Sequence, residues 1–185
     1  MAELRRSPLE GVALGDGFRE VPFLSQIDLR LNPADEGARG AVESVVGPLP
    51  LVPNTVHGGH DAAILWLGPD EWLVVGPPGS AADLERQLRD TIAAATDAGP
   101  VAIVDVSANR TTLELDHPDA RAILAGGCSI DLHPRAFGPG RCAQTLVARA
   151  GVILWQLDDA PTYRLLVRPS FAAYLAEWLT DAIPD

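Results

Sequence analysis

VAIVDVSANRTTLELDHPDARAILAGGCSIDLHPRAFGPGRCAQTLVARAGVILW, residues 101–155, is the stretch whose pattern decides the fold. Val101 to Val106 is apolar except for Asp105, the signature of a buried strand. Thr111 to Leu115 sets Leu113 and Leu115 against Glu114, an alternation that predicts a second strand. Pro118 stands near the first turn of a helix, where its missing N–H is tolerated. Ala122, Ile123 and Leu124 continue that helix, and Gly126-Gly127 ends it. A loop runs through Phe137. Arg141 to Ala148 and Val152 to Leu157 then predict two strands joined tightly at Ala150-Gly151.

Both flanks continue the theme. Downstream, Thr162 to Val167 predicts another strand. Pro169-Ser170 opens a last helix with Phe171, Tyr174, Leu175, Trp178 and Leu179 on one face. Upstream, Phe23 to Leu31 alternates with period two, and Asn32-Pro33 ends it. Residues 34–46 predict a helix with acidic residues in its first turn. Gly37 and Gly40 weaken it by about 1 kcal/mol each relative to Ala. Pro48, Pro50 and Pro53 mark the following loop. Residues 62–67 and 72–76 then predict a hairpin about Gly68-Pro69-Asp70. Ser80 is placed to cap a helix carrying Leu84, Leu88 and Ile92 on one face, with Gly99 as its stop.

This order, β-α-β-β-α-β followed by β-α-β-β-β-α, predicts an α+β fold. It has two β-α-β-type halves with largely antiparallel sheet covered by helices. Residues 1–20 are polar and aperiodic and predict a flexible N-terminal arm. The halves are expected at 21–106 and 107–185.

Composition bounds the function. A chain of 185 residues buries roughly 70% of the surface its unfolded form exposes, so its core needs no metal or disulfide staple. The net charge of −11 disfavours binding to nucleic acid or to an anionic membrane surface. All 14 basic residues are Arg, which removes a lysine Schiff base and a P-loop lysine. Cys128 and Cys142 form no C-x-x-C motif and read as two reduced thiols. The first residues lack an apolar core of the secretory type, and no apolar run approaches ~18 residues. A cytoplasmic location is therefore expected.

No cluster has the makings of a catalytic, cofactor-binding or metal site. His57 and His60 in HGGHD, beside Asp61, share a metal only if the glycine-bearing backbone aims both inward, and no obvious further ligand stands close by to complete the three or four that zinc requires. Asp105 and Ser107, with His117 or His133, assemble a triad only on paper, since no nucleophile elbow surrounds the serine. Gly138-Pro139-Gly140 precedes a strand rather than a helix, so it does not cradle phosphate. Trp66, Trp72, Trp155 and Trp178 stand in apolar settings where core packing is the default reading. Trp and Arg are also favoured interface anchors, so Arg135, Phe137, Arg141 and Trp155 are the residues named for a partner interface, with core packing for Trp155 and an ordinary surface for the other three as the alternatives.

Five segments in series carry a resemblance: LGPDEWLVV (67–75), VDVSANRTTLEL (104–115), GCSIDLHPRAF (127–137), GRCAQTLVARAGVILW (140–155) and YRLLVRPSFAAYLAEWL (163–179). Together they resemble the gamma subunit of bacterial heterotetrameric sarcosine oxidase. The resemblance covers most of the chain after residue 60. It implies the fold of part of the folate-binding T-protein and its aminomethyltransferase relatives. In those relatives an acidic pair follows the glycine of the segment matching 150–155, and one of its members contacts folate. Here Leu154 and Trp155 stand in that place, and neither can hydrogen-bond a folate nitrogen or carry charge in a proton transfer. The resemblance therefore implies a structural and assembly subunit with no cofactor of its own, docked chiefly on alpha. FAD, FMN, NAD and a tetrahydrofolate site are implied in the alpha and beta subunits and zinc in delta. The complex would demethylate sarcosine oxidatively to glycine, hydrogen peroxide, and formaldehyde or 5,10-methylenetetrahydrofolate. A stand-alone folate-binding aminomethyltransferase-like protein is the alternative. It would need Asp105, Asp158 or Glu114 to line a pocket.

Overall fold

The structure, a computed structural model, describes residues 5–184. Along them run β1 (Phe18–Glu20), β2 (Ser25–Arg30), α1 (Glu36–Val46), β3 (Val56–Gly58), β4 (Ala63–Gly68), β5 (Glu71–Gly76), α2 (Ala81–Ala94), β6 (Ala102–Asp105), β7 (Thr111–Asp116), α3 (Ala120–Ala125), β8 (Arg141–Val147), β9 (Ala150–Gln156), β10 (Thr162–Val167) and α4 (Pro169–Ala182). They form two compact units. One comprises residues 24–107, and the other joins the N-terminal segment through Phe23 to residues 108–185.

The 24–107 unit carries an antiparallel sheet in the order β3-β4-β5-β2-β6. Strands β2 and β4 flank β5, which is the split β-α-β arrangement. Ile27 and Leu29 of β2, Ile64 of β4, Trp72 and Val74 of β5 and Ile103 of β6 share one face. They meet Val42 of α1 with Ala81 and Leu88 of α2 in a single core. Period-two alternation on the strands and period-3.6 spacing on the helices converge on that layer.

The second unit has the same arrangement, circularly permuted. Its antiparallel sheet runs β1-β7-β10-β9-β8. Here β7, β9 and β10 hold the places of β2, β4 and β5, and β8 is the added edge strand, as β3 is in the first unit. The strand matching β6 is β1, contributed from the N-terminal segment. The expected flexible arm is corrected accordingly. Leu9 is buried in this unit's core, and β1 pairs with β7 from Phe18↔Leu115 to Glu20↔Leu113. The Glu20 carboxylate accepts from the Ser7 and Thr111 hydroxyls, fastening the segment at both ends. Residues 1–4 of the expected arm lie outside the described residues.

Other expectations shift for local reasons. The Ser80 hydroxyl donates back to the Pro77 carbonyl at 2.8 Å instead of capping α2. The β8–β9 turn falls at Ala148-Arg149, with Val147 opposite Ala150, and not at Ala150-Gly151. Ala148 takes φ +50°, normally glycine's conformation, and its amide is held at 2.9 Å by the Gly127 carbonyl. On α4 the buried stripe is Ala172, Leu175, Ala176 and Leu179. Phe171 and Tyr174 are 41% and 36% exposed and pack edge-to-face on each other.

Gly37 is explained by packing. A Cβ there would stand 2.9 Å from the Asp97 carbonyl oxygen, where the 97–99 loop closes on the start of α1. Asp35 ties that joint by accepting from Ala38 N–H at 2.9 Å, as the helix cap, and from Gly99 N–H at 2.7 Å. Those backbone bonds, Ala38 foremost, hold the Asp35 carboxyl below its ordinary value. Gly40 faces open space. The two glycines of one helix therefore respond oppositely to alanine. Gly40→Ala is expected to stabilise by about 0.5–1 kcal/mol through helix propensity. Gly37→Ala is expected to destabilise by about 1–3 kcal/mol through overpacking. Paired urea melts check the opposite signs.

Candidate functional site

Side chains on alternate positions of β7 and β10 point to opposite faces of their sheet. Leu113 and Leu115, with Tyr163, Leu165 and Val167, face the core. Thr112, Glu114, Arg164 and Leu166 therefore face the other way, and all four are buried. The register sets Arg164 directly opposite Glu114 on one side and opposite Trp155 of β9 on the other. Arg19 of β1 lies opposite Glu114 from the far side.

These pairings build a charged layer. Arg164 Nε donates to Glu114 Oε2 at 2.9 Å, and Arg19 Nη2 and Nε donate to Oε1 at 2.6 and 3.1 Å. The Arg164 guanidinium lies 5.3 Å from the centroid of the Trp155 ring, within cation–π range. Burial alone pushes the Glu114 carboxyl upward. The hydrogen bonds and charges of Arg164 and Arg19 outweigh it and hold the group below its ordinary value. The carboxylate is thus ionised and engaged on both oxygens. It is neither a raised-pKa acid nor a free base for proton transfer.

The other carboxylates named for a folate pocket are also engaged. Asp105 Oδ1 accepts from the Ser107 amide and hydroxyl. Asp158 Oδ1 accepts from Ala160 and Thr162 amides, holding the β9–β10 turn. The histidines serve turns as well. His117 and His133 accept through Nδ1 from the Asp119 and Arg135 amides, and His57 Nδ1 donates to the Pro48 carbonyl at 2.9 Å. Among the described residues no group of three or more His, Cys, Asp or Glu is placed to hold a metal ion. Both cysteines are free thiols.

Of the four residues expected at a partner interface, two belong to the chain's own interior. Trp155 is 2% and Phe137 4% exposed. Arg141 is half-buried and Arg135 is exposed. The inward position of Trp155 follows from its pairing opposite Cys142 and Arg164, both buried. Sequence reading missed the Glu114–Arg164 pair. Its one legible trace was Glu114 alternating with two leucines.

The family profile for "Sarcosine oxidase, gamma subunit family" matches residues 30–185. The chain belongs to that family. The sarcosine oxidase subunit gamma of Corynebacterium sp. (strain P-1) is 37% identical over 194 residues, covering 98% of this chain and 91% of the relative. A chain of the heterotetrameric sarcosine oxidase from Corynebacterium sp. U-96, solved in complex with pyrrole 2-carboxylate, has a TM-score of 0.85 and 35% identity. The match covers 97% of this chain and 94% of that one. Glycine cleavage system aminomethyltransferase T from Bartonella henselae matches with a TM-score of 0.64 at 14% identity, over 93% of this chain and 47% of that one. At that identity the likeness shows the fold, and the α+β aminomethyltransferase-like expectation holds. At the positions where the resemblance implies an acidic pair, Leu154 lies fully buried in the core and Trp155 lies against Arg164. The residues present do not fit a folate carboxylate contact. Among the described residues no helix is long and apolar enough to cross a membrane.

Proposed function

We propose that this chain is the gamma component of a heterotetrameric sarcosine oxidase, where it works as a structural and assembly subunit. The observation that carries this reading is the near-complete superposition on a chain of such an oxidase at 35% identity. On this reading the flavins FAD and FMN, NAD and tetrahydrofolate belong to the alpha and beta subunits and zinc to delta, with alpha as the chief contact. Glu114, Asp105, Asp158, His57, His117 and His133 contribute rigidity: each closes a turn, a loop or a buried ion pair. Exposed Arg135, with the half-buried Arg141 on the same unit, is a contact toward the partner.

The test is paired expression. The chain is produced alone and with candidate alpha, beta and delta subunits, and purified through a tag on this chain. Flavin absorbance and sarcosine-dependent peroxide formation are expected only in the co-purified assembly. Tight tetrahydrofolate binding by the lone chain, with no partner retained, would overturn the assignment.

A further inference from the structure

The loop between α1 and β3 presents the most exposed large apolar side chains among the described residues, Leu51 at 52% and Val52 at 62%. They are neighbours on a loop that is rigidly fixed. Leu49 and Pro50 on its inner side are buried, and the Trp72 indole N–H donates to the Pro50 carbonyl at 2.8 Å. The Leu49 amide donates to Glu43 Oε1 at 3.0 Å, the Thr55 hydroxyl donates to the Val52 carbonyl at 2.7 Å, and Asn54 turns the chain with φ +60°. Beside Leu51 lies a groove of about 350 Å³ whose walls include Pro33, Ala34, Pro53 and Pro69. A preformed apolar knob beside a proline-walled groove loses little conformational entropy on binding, and contiguous exposed apolar surface of this kind marks protein contact.

Charge selects the occupant. Glu36, two residues beyond the groove-lining Ala34, and Asp70, next to Pro69, are exposed and form no ion pair with another described residue. The nearby Arg30 and Arg39 are already paired with Glu71 and Glu43. The rim is therefore acidic on a chain of net charge −11. A second copy would bring like charge to like, and an anionic bilayer is repelled. We infer that the Leu51–Val52 loop and its proline groove are the docking site for a partner subunit of the complex, one that offers an apolar pocket rimmed by Arg or Lys. This rests on the subunit reading above and names its contact surface.

The test uses the full chain co-expressed with the other oxidase subunits. Leu51→Ser/Val52→Ser is compared with wild type and with Val104→Ser, which alters a 49%-exposed residue of β6. Thermal melts verify folding of each lone chain. The loop variant is expected to melt like wild type and to lose about 10- to 100-fold in affinity for the assembly, as hot-spot truncations do. Val104→Ser is expected to assemble normally. Glu36→Gln/Asp70→Asn is expected to slow association and flatten its salt dependence. Loop-variant affinity within twofold of wild type would overturn the inference while leaving the subunit reading intact. So would a lone-chain dimer abolished by the loop variant while assembly stays normal. Failure of wild type itself to assemble would overturn both.

Discussion

Glu114→Gln is expected to cost about 3–5 kcal/mol of folding stability, a large share of the total for a domain of this size. Glu114 and Arg164 side chains are each 5% exposed. The isosteric amide leaves the shape unchanged but removes the carboxylate charge to which Arg164 Nε donates at 2.9 Å. The Trp155 ring faces the Arg164 guanidinium before and after the substitution, so that contact does not replace the lost carboxylate. Arg19→Ala is expected to cost about 1 kcal/mol or less, because its side chain is 69% exposed and its charge is solvated. Glu114→Leu/Arg164→Met is expected to recover most of the loss, since removing both buried charges also removes their desolvation penalty. Urea denaturation of the single and double variants yields the coupling. Acid provides an independent check. The folded-state Glu114 pKa is depressed, so its stabilisation is fully present above its ordinary value of 4.5 and is lost as pH falls through the lower folded value. The stability gap between wild type and Glu114→Gln is expected to close in that acid window and to stay constant above it.

Trp72→Ala is the second large effect, at about 3–5 kcal/mol. Trp72 is fully buried, sits opposite Leu29 and Trp66 in the sheet, and belongs to the core shared with α1 and α2. Its truncation opens a cavity the size of an indole under those helices. Trp72→Phe separates packing from hydrogen bonding. It keeps most of the ring, loses the bond to the Pro50 carbonyl, and is expected to cost about 1–3 kcal/mol for the buried acceptor left behind. Because that bond fixes the 48–54 loop, Trp72→Phe is also expected to raise amide hydrogen exchange at Leu51 and Val52. Protection elsewhere in the 24–107 unit should fall only by the global change.

Strongly periodic segments were legible in the sequence. The alternation of Leu113 and Leu115 with Glu114, the hairpin around Gly68-Pro69-Asp70 and the apolar stripe of α2 all lie where expected. What escaped reading was set by distant contacts. Phe18–Glu20 is too short to show a period, and its place is fixed by pairing with β7 almost a hundred residues later. On α4, Phe171 and Tyr174 share a helical spacing with Trp178, which packs partly buried against the core, just as Ala172, Leu175, Ala176 and Leu179 share one. Periodicity therefore does not choose between the two stripes, and the small alanines face inward. The β8–β9 turn misled because Gly151 draws the eye, while Ala148 is held in glycine's conformation by a carbonyl 21 residues earlier. The Glu114–Arg164 bond spans 50 residues and appears only once the strand register is known. That register likewise sets the Trp155 ring beneath Arg164, which decides for core packing of this tryptophan over the interface alternative.

Membership in a multi-subunit oxidase is best probed by the native mass of whatever this chain holds when co-expressed with the other candidate subunits. One stoichiometric assembly of four different polypeptides is expected, with this 19.6 kDa chain present once and bound flavin in the same species. A single species at 19.6 kDa, free of flavin while the remaining subunits assemble and turn over sarcosine without it, would rule that membership out.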